Sequence, residues 1–227
     1  MIKYLFISLF CLQAMLARAD VYVILYATLD GYTGHSAIAI EAYDIAISDS
    51  MHEGEKVFYE DTLSNGKVHY FDLWTTQKSF RFPYLNKDYD ALYHAYPALG
   101  KSFSIQELFY KGLPDGMIAR RFDGLIKIKS SKAQDFQLIS KLREKVAENK
   151  AYNLFSYNCS DFVIDALEIM DQRKIRAREF FIYRLSNTPN KLFRKLSKME
   201  GSKVILDPKK KAKGNFIVHR ILKKPQN

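Results

Sequence analysis

The sequence predicts an α+β fold, a mainly antiparallel sheet packed against helices. Three observations predict it. Segments rich in β-branched and aromatic residues dominate the first half. Beyond Ser131 the apolar residues switch to a helical period. The chain of 227 residues, 48% hydrophobic and 14% aromatic, suffices for one ordinary core, and no repeat or long linker divides it.

The first element is a targeting segment. Lys3 precedes the apolar run 4–16, and Ala17-Arg18-Ala19 has the small-x-small pattern of a cleavage site. The run is shorter than the roughly 20 residues a spanning helix needs. Residues 1–19 therefore read as a signal peptide. Residues 20–227 read as a single domain, exported to the periplasm or beyond and soluble after cleavage.

Residues 21–28 predict a central strand. Residues 29–34 are a turn-rich break, and 35–41 a second strand. Residues 44–55 read as a polar excursion, 57–62 as a third strand and 68–74 as a fourth. Asn65-Gly66 between the last two is a hairpin signal. Residues 75–116 are aromatic and broken by Pro83, Pro97 and Pro114, as expected of an excursion over a groove. Residues 125–129 alternate as a strand with one wet face. The helical half follows. Residues 131–149 place Phe136, Ile139, Leu142 and Val146 on one side of a helix. Residues 161–170 predict a second helix and 175–185 a third helical region. Residues 190–199 predict a short helix, with Thr188 or Ser186 near its start and Pro189 in a tolerated early position. A strand pair, 203–206 and 215–222, closes the chain.

The formal charge is +10, and loss of Lys3 and Arg18 takes two from it to leave +8. Lys209, Lys210, Lys211 and Lys213 concentrate the excess near the C-terminus. They suit either a solvated face or contact with an anionic surface. An exported chain with no recognisable binding module is a poor nucleic-acid binder.

Cleavage after Ala19 leaves one cysteine, Cys159, so no internal disulfide is available. Asn158 before it is a favoured N-cap. Cys159 then opens a helix, whose unpaired amides and positive potential stabilise a thiolate. The same amides could form an oxyanion hole. A thiolate needs an imidazole partner. Of the histidines at 35, 52, 69, 94 and 219, His35 is best placed, at the start of an apolar strand after Gly34. Glu41 shares its strand, but six residues of strand span about 20 Å. His69 on a neighbouring strand is the first choice to orient His35, with Asp72 and Glu60 behind it. The spacings of structural zinc sites, phosphate-cradling glycine loops and serine-nucleophile signatures are absent from the sequence, so no cofactor or metal is expected.

Gly34-His-Ser-Ala-Ile-Ala-Ile40 and Tyr157-Asn-Cys-Ser-Asp-Phe162 together resemble the circularly permuted branch of the NlpC/P60 papain-like superfamily. That branch includes bacterial exported proteins and lecithin retinol acyltransferase-like enzymes. The resemblance covers about residues 21–170, with a basic C-terminal extension beyond. It implies a permuted papain-like fold, with Cys159 matching the family nucleophile and His35 the family histidine. It implies no family residue for the third position. The acyltransferase-like members follow Asn-Cys with Glu-His-Phe, whereas Ser160-Asp161-Phe162 follows here and leans away from lipid processing.

The expected function is an exported cysteine hydrolase that cleaves peptidoglycan peptides or related envelope amides. Two alternatives stand beside it. One is a lipid-directed thioester hydrolase or acyltransferase, motivated by the basic charge and the aromatic stretch. The other is a non-catalytic envelope-binding protein.

Overall fold

The computed structural model describes residues 18–27, 34–52, 55–76, 86–98, 101–113, 121–171, 174–181 and 184–208. Side chains are described for these except 18–19, 46–52, 55–62, 171, 181 and 184. The apolar run of the expected signal peptide, the Lys209–Lys213 cluster and the strand expected at 215–222 lie outside the described residues.

The chain is α+β. Six antiparallel strands form one sheet in the order β4-β3-β2-β1-β5-β8. They are β1 (Arg18–Tyr26), β2 (His35–His52), β3 (Glu55–Thr75), β4 (Ala91–Tyr96), β5 (Gly124–Ser131) and β8 (Ser202–Leu206). The central place of β1 follows from its sequence. Val21, Val23 and Leu25 feed one buried cluster, while Ile24 and Tyr26 feed another on the opposite face. A strand buried on both faces belongs inside a sheet.

The first cluster lies under three helices: α2 (Lys132–Glu148), α3 (Cys159–Asp171) and α4 (Pro189–Leu196). The second lies under a short helix, α1 (Ile105–Lys111), which contributes Leu108. Each helix start is chemically marked. Ser131 and Gln134 cap α2 reciprocally at 3.2 and 2.9 Å. Thr188 caps α4, with Pro189 at its first position. Gly124 lets β5 approach α4, since a Cβ there would lie 2.7 Å from the ring of Phe193.

Several expected elements differ. The polar excursion at 44–55 is part of a long ribbon, because β2 and β3 stay paired from Tyr43↔Ser64 to His52↔Glu55. The strands expected at 57–62 and 68–74 are one strand, β3. Asn65-Gly66 is no hairpin. The register jumps there from Tyr43↔Ser64 to Glu41↔Val68, so residues 65–67 bulge opposite Ala42. Gly66 takes φ 71°, which suits glycine in the bulge as well as in a turn. The stretch 75–116 contains β4 and α1. The third helical region at 175–185 is instead a hairpin, β6 (Arg178–Phe181) and β7 (Arg184–Asn187). Its base is bonded to the start of α3, and that tertiary contact overrides local preference. On α2, Phe136 is 50% exposed and lies against Tyr43, while Leu138, Ile139 and Leu142 face the core.

Candidate active site

The site starts at the N-terminus of α3. Asn158 Oδ1 accepts the amides of Ser160 at 2.8 Å and Asp161 at 3.4 Å. Asp161 returns the favour by accepting the Asn158 amide at 3.0 Å. This is a capping box with an Asn and an Asp. The Asn158 side-chain amide donates outward to Leu154 O, Ser186 Oγ and Asn187 O at 3.0–3.2 Å. Asn187 in turn donates to Asp161 at 2.5 Å. The β6–β7 hairpin therefore clamps the helix start. Burial holds the Asp161 carboxyl above its ordinary pKa, against the pull of its Asn187 and Asn158 bonds.

Cys159 is the first residue of α3 and is 5% exposed. His35, the first residue of β2, is 2% exposed. The fold brings the two side chains into hydrogen-bond contact. Burial pushes the thiol up. The positive imidazole of His35, its hydrogen bond and the amide and hydroxyl of Ser36 together outweigh burial and hold the Cys159 pKa below its ordinary value. Burial likewise pushes His35 down, but Cys159 and Asp72 raise it to about 9. Opposite shifts on these partners favour the thiolate–imidazolium form of the pair. Ser36 and Ser160 hydroxyls, 3.3 Å apart, tie β2 to α3 beside it.

The far side of His35 meets β3. Its Nε2 lies 3.0 Å from Asp72 Oδ2, so Nε2–H donates there and Nδ1 is left for the thiol. Asp72 is fully buried and accepts three further bonds. Tyr70 OH donates at 2.6 Å, Trp74 Nε1 at 3.0 Å and His94 Nδ1 at 2.6 Å. Burial would raise this carboxyl, but the bonds and charges of both histidines hold it well below the usual carboxylate range. The indole of Trp74 also stacks on His35, with centroids 4.1 Å apart and planes at 24°. A ring face against an imidazolium is attractive.

Comparison with protein-family models, with curated proteins and with solved structures gives no match. The chemistry of this site therefore rests on its own geometry.

The structure joins Cys159, His35 and Asp72, and leaves His69 apart. Tyr70, Asp72 and Trp74 project to one face of β3, while Phe71 and Leu73 belong to the cluster under α2 and α3. His69 shares the parity of Phe71 and Leu73, and pairs with Ile40, five residues along from His35. It is half-buried, and its Nδ1 has no hydrogen-bond partner among the described residues. Burial, then the charge of Arg143, lowers its pKa. Glu60 pairs with Ile47 beyond the bulge, and its side chain lies outside the described residues.

Sequence reasoning missed Tyr70, Trp74 and His94. The first two had a signal, since residues two before and two after Asp72 share its face in a strand. His94 had none, because nothing local pairs β4 with β3. Among the described residues no group of three or more His, Cys, Asp or Glu is arranged to hold a metal ion. What the arrangement can do is nucleophilic acyl chemistry. It sets a thiol of lowered pKa at a helix start, an imidazole beside it and a fixed carboxylate behind that.

Proposed function

We propose that the protein is an exported thiol hydrolase of the permuted NlpC/P60 papain-like type, acting on amide bonds of cell-envelope peptides. The carrying observation is the buried chain from Cys159 through His35 to Asp72. Export rests on the sequence of residues 1–19. The Asn-Cys-Ser-Asp run, unlike the acyltransferase-like motif, favours amide over lipid substrates.

The reaction follows from the proton positions. The Cys159 thiolate attacks the carbonyl carbon and a C–S bond forms. The carbonyl electron pair moves onto oxygen, where the Cys159 amide, at a helix position without an intrahelical acceptor, stabilises it. His35 gives its Nδ1 proton to the amide nitrogen as the C–N bond breaks. The neutral imidazole then takes a proton from water, whose oxygen attacks the thioester. The C–S bond breaks, and the thiolate–imidazolium pair is restored. Asp72 remains ionised throughout and holds the imidazole by Nε2.

The test combines labelling and turnover. The full chain is treated with iodoacetamide from pH 5 to pH 10, and wall peptides are incubated with wild type and with Cys159→Ala. Alkylation at pH 6 well above that of free cysteine, and loss of hydrolysis in the variant, are expected. Ordinary thiol reactivity together with hydrolysis by Cys159→Ala would sink the proposal.

A further inference from the structure

Asp72 is held more tightly than an orienting carboxylate requires. Three donors converge on Oδ2: His35 from β2, and Tyr70 and Trp74 from its own strand. Oδ1 takes the Nδ1 of His94 at 2.6 Å, from the other side, on β4. The register places His94 directly opposite Asp72, and His94 is only 8% exposed. The two imidazoles thus grip separate oxygens of one carboxylate. A carboxylate turns as a unit about its Cβ–Cγ bond, so fixing Oδ1 fixes where Oδ2 points. At zero exposure, water has no route to replace a lost donor.

We propose that His94 is a positioning residue of the candidate site. Its Nδ1–H locks Asp72 so that Oδ2 faces Nε2 of His35. The inference rests on the Cys159–His35–Asp72 reading, and adds to it a third strand, β4, and a second histidine. His94 touches neither thiol nor substrate in this scheme. It acts through Asp72 on His35, and through His35 on Cys159. Loss of its donor leaves Oδ1 without its anchor and lets the carboxylate rock about the bonds that still hold Oδ2. The Nε2–H bond then weakens, the imidazolium loses support and the thiolate loses its partner. The range of pH over which Cys159 is a thiolate beside an imidazolium narrows from both ends.

The test uses the full chain as wild type, His94→Phe and His94→Asn. Phenylalanine keeps a flat ring without a donor, whereas an asparagine amide can donate from near the position of Nδ1. Histidine-labelled NMR reads the protonation of each ring nitrogen, and iodoacetamide reads thiolate reactivity against pH. In wild type, Nδ1 of His94 should carry a proton. His94→Phe should lower alkylation at pH 7 by about tenfold and shift the Nε2–H resonance of His35, as expected for losing a charge-assisted bond. His94→Asn should stay within about threefold of wild type.

A merely structural His94 would give His94→Phe a lower melting temperature with an unchanged alkylation window, and that result overturns the proposal. So does an unprotonated Nδ1 in wild type, a measurement that stands even where His94→Phe fails to fold. If wild-type Cys159 proves no more reactive than a free thiol, the parent hydrolase reading fails on its own. The His35 Nε2–H resonance then decides for His94, and its persistence unchanged in His94→Phe overturns the inference.

Discussion

Replacing Asp72 with asparagine removes one charge and almost no volume, so it isolates what the carboxylate contributes. Asp72 accepts four bonds with none of its surface exposed. An amide offers one oxygen. Placed at the Oδ2 position, it still accepts from His35, Tyr70 and Trp74, and its NH2 can face His94 if that ring shifts its proton to Nε2. Four charge-assisted bonds then become neutral ones. The difference is about 1 kcal/mol for each, so the variant should lose about 4 kcal/mol of stability before any gain from no longer burying a charge. Denaturant unfolding at pH 7 reads this directly.

The same change acts on reactivity. Asp72 supports the imidazolium of His35 by a hydrogen bond and by charge, and both contribute to its pKa of about 9. Without the carboxylate the upper limb of the turnover profile, where the imidazolium loses the proton it gives the leaving amine, should move down towards the ordinary histidine range near 6.5. Turnover should fall by about two to four orders of magnitude, the scale of losing positioned acid–base support. A folded Asp72→Asn protein with both limbs in place would refute the reasoning, since Asp72 would then be only a structural acceptor.

Three other outcomes follow from the packing. Asn158→Ala removes the cap of α3 and its ties to Leu154, Ser186 and Asn187. It should cost about 2 kcal/mol, with faster hydrogen exchange in β6–β7 and in the first turn of α3. Gly124→Ala puts a Cβ 2.7 Å from Phe193, so it should destabilise by about 1–3 kcal/mol without changing Cys159 alkylation at limiting denaturant-free conditions. Asp135 is held at a pKa of about 6, chiefly by burial. Its folded pKa is raised, so the stability linked to it is full below about pH 4 and is lost as pH rises through 6. Asp135→Asn should therefore melt higher than wild type at pH 7, and a lower melting point there would contradict this account.

The sequence made Cys159 and His35 legible because each carried a local signal. Asn158 announced a helix start, and Gly34-His35 announced the edge of an apolar strand. The choice between His69 and Asp72 was not legible, for a physical reason. The run Val68-His-Tyr-Phe-Asp-Leu-Trp74 is apolar on both faces, because β3 is buried on both faces. Alternation then cannot say which parity meets His35. Only pairing settles that, and the pairing depends on a bulge at 65–67 that the sequence offers equally as a hairpin. The β6–β7 hairpin was hidden for a related reason. Its place is set by Ser186 and Asn187 bonding residues that lie far back in the chain, and no local period records such a contact.

The site's geometry also separates reactivity from stability. His35 has a raised folded pKa, so its contribution to stability is full below about 6.5 and is lost as pH rises through about 9. Cys159 has a lowered folded pKa. Its contribution is full above the unfolded value near 8.5 and is lost as pH falls through the folded one. The two windows overlap with opposite sign. One partner gains proton affinity on folding and the other loses it, so their contributions to the slope of stability with pH oppose each other. Folding shifts the pair's proton preference from sulfur towards nitrogen. Asp72, ionised behind the imidazole, supports the nitrogen side of that preference. Its four donors hold that charge in a fully buried position, so the proposed chemistry depends on the carboxylate cage as much as on the cysteine.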